Sequence, residues 1–146
     1  MVTAKSLLPV LDLSEYPNSV VDVFIELPET EAGSRCAGIN AAALALADAG
    51  LKVKDIVAAV SVGRVDDKLV VDLDYNEESY PEGHVADIPI AVIPSTGKIT
   101  LLQMDGVIPK DDFMKVMDLG KKACDAISKV QKDALRQKYA GSEKNE

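Results

Sequence analysis

The run from Cys36 to Ala49 is built almost entirely of Ala, Leu, Ile and Gly, with only Asn40 and Asp48 polar. Side chains this small let a helix backbone approach a sheet closely, so the run predicts a helix buried on most sides. Gly50 supplies its stop. Directly before it stands Gly33-Ser34-Arg35, so the helix opens on a glycine, a hydroxyl and a guanidinium. The first backbone N–H groups of a helix have no partner within it, and together they carry roughly half a positive charge. An oxyanion such as phosphate is therefore favoured there, and Arg35 adds a two-pronged donor suited to phosphate oxygens. The plainer reading is that Ser34 caps the helix and Arg35 pairs with a surface acid. The tripeptide alone leaves both open.

The neighbouring segments supply the sheet. From Ser19 to Leu27, Val21, Val23, Ile25 and Leu27 alternate with Asp22 and Glu26, the period-two pattern of a strand with one buried face, ended by Pro28. Two β-branched runs, Ile56 to Val65 and Lys68 to Asp74, meet across Asp66-Asp67 as a tight hairpin. A second hairpin joins Asp87–Ile93 to Ile99–Met104 through Pro94-Ser95-Thr96-Gly97. Pro89 marks an edge strand or a local irregularity. The last element, Lys110 to Tyr139, follows Pro109 and spaces Phe113, Val116, Met117, Cys124, Ile127, Val130 and Ala134 as one helical face. Near the N-terminus Pro9 interrupts an apolar pattern, which predicts a short or broken helix ending before Tyr16-Pro17. Residues 141–146 are polar and are expected to fray.

At 146 residues and 47% apolar content the chain suits one globular domain. Its 24 acids against 16 bases leave a net charge of −8, which opposes nonspecific attraction to nucleic acid or to an anionic membrane. A polyanionic substrate would need a local or borrowed basic surface. Cys36 and Cys124 lie in apolar helical patterns without metal-ligand spacing, and His84 is the single histidine, so two buried thiols are expected rather than a metal site. The absence of a long apolar run or a signal-peptide pattern points to a soluble, cytoplasmic protein with no membrane partner.

Between the hairpins, Asp72, Asp74, Glu77, Glu78, Glu82 and Asp87 crowd one stretch. Clustered carboxylates can raise one member's pKa into the range of a proton donor, or can hold Mg²⁺ through oxygen ligands. A solvated acidic loop accounts for the same residues.

The segment VVDVFIELPETEAGSRCAGINAAALALADAG, from Val20 to Gly50, together with VVDLDYNEES, ADIPIAVIP and ITLLQMDG, resembles the second half of an RNase PH-type subunit, in the manner of the catalytic-type subunit of the archaeal exosome. The resemblance runs from Tyr16 to Ala140. It implies an α+β fold like the second domain of ribosomal protein S5, a mixed or antiparallel sheet packed against helices that forms one half of an RNase PH fold, with residues 18–140 as the RNase PH-type second-half domain and residues 1–17 as the remnant of a connecting helix. It implies 3′-to-5′ phosphorolysis of RNA, in which inorganic phosphate as co-substrate attacks the terminal phosphodiester and a nucleoside diphosphate leaves. By the same likeness Gly33, Ser34 and Arg35 match the phosphate-binding motif, and Asp87 matches the downstream catalytic aspartate associated with metal. The upstream acid of the pair is an aspartate in the family, where this chain has Glu78, with Glu82 as a rival; Mg²⁺ held by Asp87 and Glu78 is the implied metal. The implied partners are RNA, a paralogous subunit in a hexameric ring and RNA-binding cap subunits. The family's basic first half does not precede Met1, so a fragment or split subunit is expected, inactive as an isolated chain. The alternative is a noncatalytic ring subunit that keeps the fold for assembly.

Overall fold

A computed structural model of the chain describes residues 2–140; the expected fraying of 141–146 lies outside them. Its centre is an antiparallel sheet. Strand β1 (Ala58–Val65) turns through Asp66-Asp67 into β2 (Lys68–Val71), with Val65 opposite Lys68, so the expected two-residue hairpin forms. Asp66 adopts the left-handed conformation such a turn requires (φ 54°). Strand β3 (Val85–Ile93) pairs along the other side of β1 and then turns into β4 (Lys98–Leu102), giving the order β2-β1-β3-β4. A two-residue strand, β5 (Asp105–Gly106), pairs with the beginning of β3.

Pro89 sits inside this sheet rather than on an edge, and the irregular alternative is the one observed. On one side β3 changes partner across Pro89, from β5 at Ala86 and Asp87 to β4 from Ile90 onward. In the gap between them the Gln103 N–H donates to the Pro89 carbonyl at 3.0 Å. A proline survives in an inner strand because it sits where the regular ladder lapses.

Side chains alternate across β1 and β3, and each face carries its own helix. Ala58, Val60, Val62, Ile88, Ile90 and Val92 meet Val116, Met117 and Cys124 of the long helix α4 (Lys110–Ala140). α4 approaches closely at Gly120, where a Cβ would stand 2.4 Å from Ile90 Cδ1. On the opposite face Val57, Ala59, Ala91 and Ile93 meet Ile39, Ala42, Ala43 and Leu46 of α2 (Ser34–Asp48). Leu7 and Val10 join this cluster beside α2, the first from helix α1 (Val2–Leu7), which also touches β4, and the second from the 3-10 turn that follows at Pro9, which is the broken opening helix the sequence predicts.

Two expectations need correction. Helix α2 is buried along one side only: Ala37, Ala41 and Ala45 are exposed. Its alanines reflect high helix propensity on the outer face as much as close packing on the inner one. Residues Ser19 to Leu27 are extended without being a strand, because among the described residues nothing pairs with them. The alternation is nevertheless used. Val21 and Val23 lie along α1 with Ala4 and Leu7, and Ile25 sits over Gly38 of α2, whereas Val20 and Phe24 on the other side are 84% and 88% exposed. Period two reports the side that packs; a ladder also needs a neighbouring backbone.

Beyond the end of β2, the open edge of β1 is closed by a side chain. The Asn40 amide donates to the Ala59 carbonyl and accepts from the Ala59 N–H, both at 2.8 Å, so it pairs as a backbone would. Gln131 of α4 donates to the Asn40 and Val57 carbonyls. This clasp ties α2 to the sheet and to α4, and so fixes where α2 begins.

Candidate functional site

The helix start forms as the sequence implies, with a different cap. Gly33, not Ser34, occupies the N-cap position, in the left-handed conformation (φ 69°), and no side chain caps the N-terminal N–H groups. Ser34 is the first helical residue. A glycine there leaves the helix end open, where a serine cap would have filled it.

Opposite this helix end lie the acids. Asp87 and Gly63 are directly paired on β3 and β1, on the face that α2 covers. Glu78 closes the four-residue helix α3 (Tyr75–Glu78), which a reciprocal capping box between Asp74 and Glu77 holds in place. Glu78, Asp87 and Asp105 line one cleft of about 240 Å³ with Val85 and Gly106. Glu82, the rival acid, is exposed and does not line that cleft. The acidic stretch therefore divides: Asp74 and Glu77 are cap residues, Asp72 stands beside Gly33, its Oδ1 3.7 Å from where a Cβ on that glycine would lie, Glu82 lies outside the cleft, and Glu78 and Asp87 share it.

The electrostatics tie these parts together. Burial raises the Glu78 pKa above the ordinary glutamate value and the charge of Asp87 raises it further, while the Gly33 N–H and the Arg35 guanidinium pull it down. Glu78 thus feels both the open helix end and the second acid. The Cys36 thiol, one turn into α2, is pushed up to about 12, first by burial and then by Asp87, against the pull of Arg35. It is a neutral packing group and no nucleophile; Cys124 is likewise free, buried and pushed up to about 12 by burial.

Arg35 is exposed, and its Nη1 donates to Gln103 Oε1 at 2.6 Å. Gln103 is anchored to β3 at Pro89. Two further residues shape the site. The hydroxyl of Ser61, itself 1% exposed, donates to Asp87 Oδ1, and Asp105 stands opposite Asp87 in the β3–β5 pair. Sequence reading missed Gln103, Ser61 and Asp105, because none belongs to a local motif and each reaches the site only through strand pairing. The lone usable signal was the QMDG segment quoted above, which holds two of them. Among the described residues no group of three or more His, Cys, Asp or Glu side chains is placed to hold a metal ion, and no helix is long and apolar enough to cross a membrane.

Residues 55–123 match the model of the 3′ exoribonuclease family, domain 2. Over 96% of its length the chain is 44% identical to exosome complex component Rrp41 of Methanopyrus kandleri, and over 94% it is 46% identical to the same component of Thermococcus kodakarensis. It covers 57% and 54% of those proteins, so it spans little more than half the length of the curated relatives it matches. The crystal structure of rice Rrp46 superposes with a TM-score of 0.80 over 92% of this chain and 62% of that one, at 21% identity, which shows the shared fold. Matched family domain, relatives and fold agree: residues 55–123 are a second domain of the RNase PH-type 3′ exoribonuclease family.

Proposed function

We propose that this chain is the phosphate-binding half of an exosome-type RNase PH subunit, which degrades RNA from its 3′ end by phosphorolysis. The observation that carries the reading is an uncapped helix start whose Gly33 N–H and Arg35 act on Glu78, the acid that shares a cleft with Asp87. The two relatives named above, which match 96% and 94% of the chain, are exosome components.

In this reading Gly33, Ser34 and Arg35 orient inorganic phosphate at the start of α2. A phosphate oxygen attacks the phosphorus of the terminal RNA linkage, the bond to the 3′ oxygen of the preceding nucleotide breaks, and a nucleoside diphosphate leaves. The departing 3′ oxygen needs a proton, and Glu78 is the acid suited to give it, since burial and Asp87 favour its protonated form. Asp87, joined by Glu78 once that group has given up its proton, would supply hard oxygen donors that fit Mg²⁺, which commonly takes one or two carboxylates and completes its shell with substrate phosphate and water. When bound, the ion would offset the charge of the reacting phosphates. RNA, a paralogous subunit in a hexameric ring and RNA-binding cap subunits are the proposed partners, in the cytoplasm. The exposed row of Val20 and Phe24 supports docking against another polypeptide.

One consideration favours a noncatalytic ring subunit instead: the Gly33 N–H already acts on the chain's own Glu78 carboxylate, lowering its pKa. Phosphate would have to displace that group. The deciding experiment incubates the chain, rebuilt with a first-half polypeptide and a paralogous subunit, with labelled RNA and inorganic phosphate. Nucleoside diphosphates support phosphorolysis, monophosphates indicate hydrolysis, and no product from a well-assembled complex supports the scaffold reading.

A further inference from the structure

We propose that Ser61 is a positioning residue whose buried hydroxyl fixes the carboxylate of Asp87 for the reaction. The inference rests on the phosphorolytic reading given above. On the α2 face the row that runs from Val57, just before β1, through Ala59, Ser61 and Gly63 has Ser61 as its one polar side chain. A hydroxyl removed from water is costly unless it is bonded, and alanine, already present two residues earlier, would fill the same space without that cost. The Ser61 hydroxyl has a bond, and its partner is Asp87 Oδ1.

The strand register explains why this serine and this aspartate meet. Gly63 is directly opposite Asp87 and carries no side chain, while Ser61 is opposite Pro89. The diagonal neighbour of Asp87 on the covered face is therefore Ser61, with nothing between them. Gly63 cannot be larger, since a Cβ there would stand 2.0 Å from the Ala86 carbonyl oxygen. Ser61 is also held through its own backbone, because its carbonyl accepts the Asp72 N–H at 2.7 Å. Among the described residues no hydrogen bond reaches the other carboxylate oxygen, Oδ2. Ser61 thus occupies one oxygen and leaves the second for the cleft that Asp87 shares with Glu78 and Asp105.

The test compares wild type, Ser61→Ala and Ser61→Thr in the rebuilt complex. Loss of the hydroxyl is expected to lower kcat about tenfold while the KM for inorganic phosphate stays within about twofold, since an unfixed carboxylate is misplaced for reaction and phosphate is held elsewhere. Threonine, which keeps the hydroxyl, is expected to recover most of that loss. Unchanged kcat in Ser61→Ala overturns the proposal. So does an equal loss in both variants, which would mark a packing role. A second measurement needs no turnover: in the 146-residue chain the Ser61 hydroxyl proton should be visible by NMR in slow exchange with water and should vanish in Asp87→Ala. Fast exchange in wild type overturns the contact itself. A wild-type complex that releases no diphosphate overturns the phosphorolytic reading and Ser61's part in it, while a protected proton in that case still establishes the hold on Asp87.

Discussion

The two faces of the β1–β3 pair differ in what they are made to do. Towards α4 the pair presents Ala58, Val60 and Val62 beside Ile88, Ile90 and Val92, all apolar, and ends at Arg64, which pairs with Asp112 of α4. Towards α2 it begins apolar, at Val57, Ala59, Ala91 and Ile93, and then changes to Ser61, Gly63, Pro89 and Asp87. The change falls where α2 begins. One face therefore holds the sheet in shape, and the other gives up part of its apolar area to carry polar groups against a helix end. The separation means that stability and chemistry are open to independent attack, and the largest effects on each should come from different faces.

Asp87→Asn is the sharpest cut on the polar face. The variant keeps the size of the side chain and leaves the α4 face untouched, so the fold should persist with a melting temperature close to wild type. Diphosphate release by the rebuilt complex should fall by about a thousandfold, because Glu78 loses the charge that favours its protonated form and with it general-acid catalysis, while RNA retention measured by filter binding stays near wild type. Turnover at the wild-type rate would remove Asp87 from the chemistry and leave the two faces functionally alike.

The complementary cut is Ile90→Ala. Ile90 is fully buried beneath Gly120, which admits no side chain to fill the gap. Truncation should cost about 3 kcal/mol, from lost transfer energy and the cavity left behind, and should be read as a fall in the urea midpoint. Phosphate affinity of the folded fraction should hardly move. A large change in affinity at little cost in stability would show that the α4 face is coupled to the site.

How much of this division was legible beforehand depends on the range of the interaction. α2 was readable because its composition and its flanking glycines are local, and the Asp66-Asp67 hairpin because turn chemistry is local. Ser19 to Leu27 was legible as an extended, one-sided segment, yet whether it pairs depends on a neighbour that alternation does not encode. Within the acidic stretch, the Asp74–Glu77 capping box is local and was still read as loop, since charge density masked its spacing. Ser61 lay within an unremarkable β-branched run, and its partner is defined by the β1–β3 register. Glu78 and Asp87 entered through family likeness; their shared cleft with Asp105 needed the pairing of β5 to β3.

A third prediction concerns the clamp that holds α4 to the sheet, away from both faces. Burial works to raise the Asp55 pKa, but the Lys132 ammonium at 2.8 Å, the Ser95 N–H and the Ile56 N–H outweigh it and lower the value to about 2. A depressed carboxylate stabilises the fold fully above its unfolded value, near 3.8, and the contribution is lost as pH falls towards 2. The stabilisation is about 2 kcal/mol at neutral pH. Asp55→Asn should lower the melting temperature at pH 7 by about 5 °C, and the gap to wild type should close as the pH approaches 2. A gap that is constant over that range would assign the effect to packing.

The smallest expected effect probes the link between the helix start and the polar face. Gln103 is fixed to β3 through the Pro89 carbonyl and accepts a hydrogen bond from Arg35, so it ties the guanidinium to the strand that carries Asp87. Because Arg35 is exposed, the tie is worth little in stability, and its value lies in restricting a long side chain before phosphate arrives. Gln103→Ala should weaken inorganic phosphate binding by about threefold in calorimetry, through added side-chain freedom, whereas Arg35→Ala removes the charge itself and should weaken it by about tenfold or more. Gln103→Glu gives the opposite test: a carboxylate in that place competes with phosphate for the guanidinium, so affinity should fall below that of Gln103→Ala and recover in part at high salt. If alanine and glutamate bind phosphate equally well, Arg35 is not the group that joins the two, and the anion seat must be sought in the backbone of α2 alone.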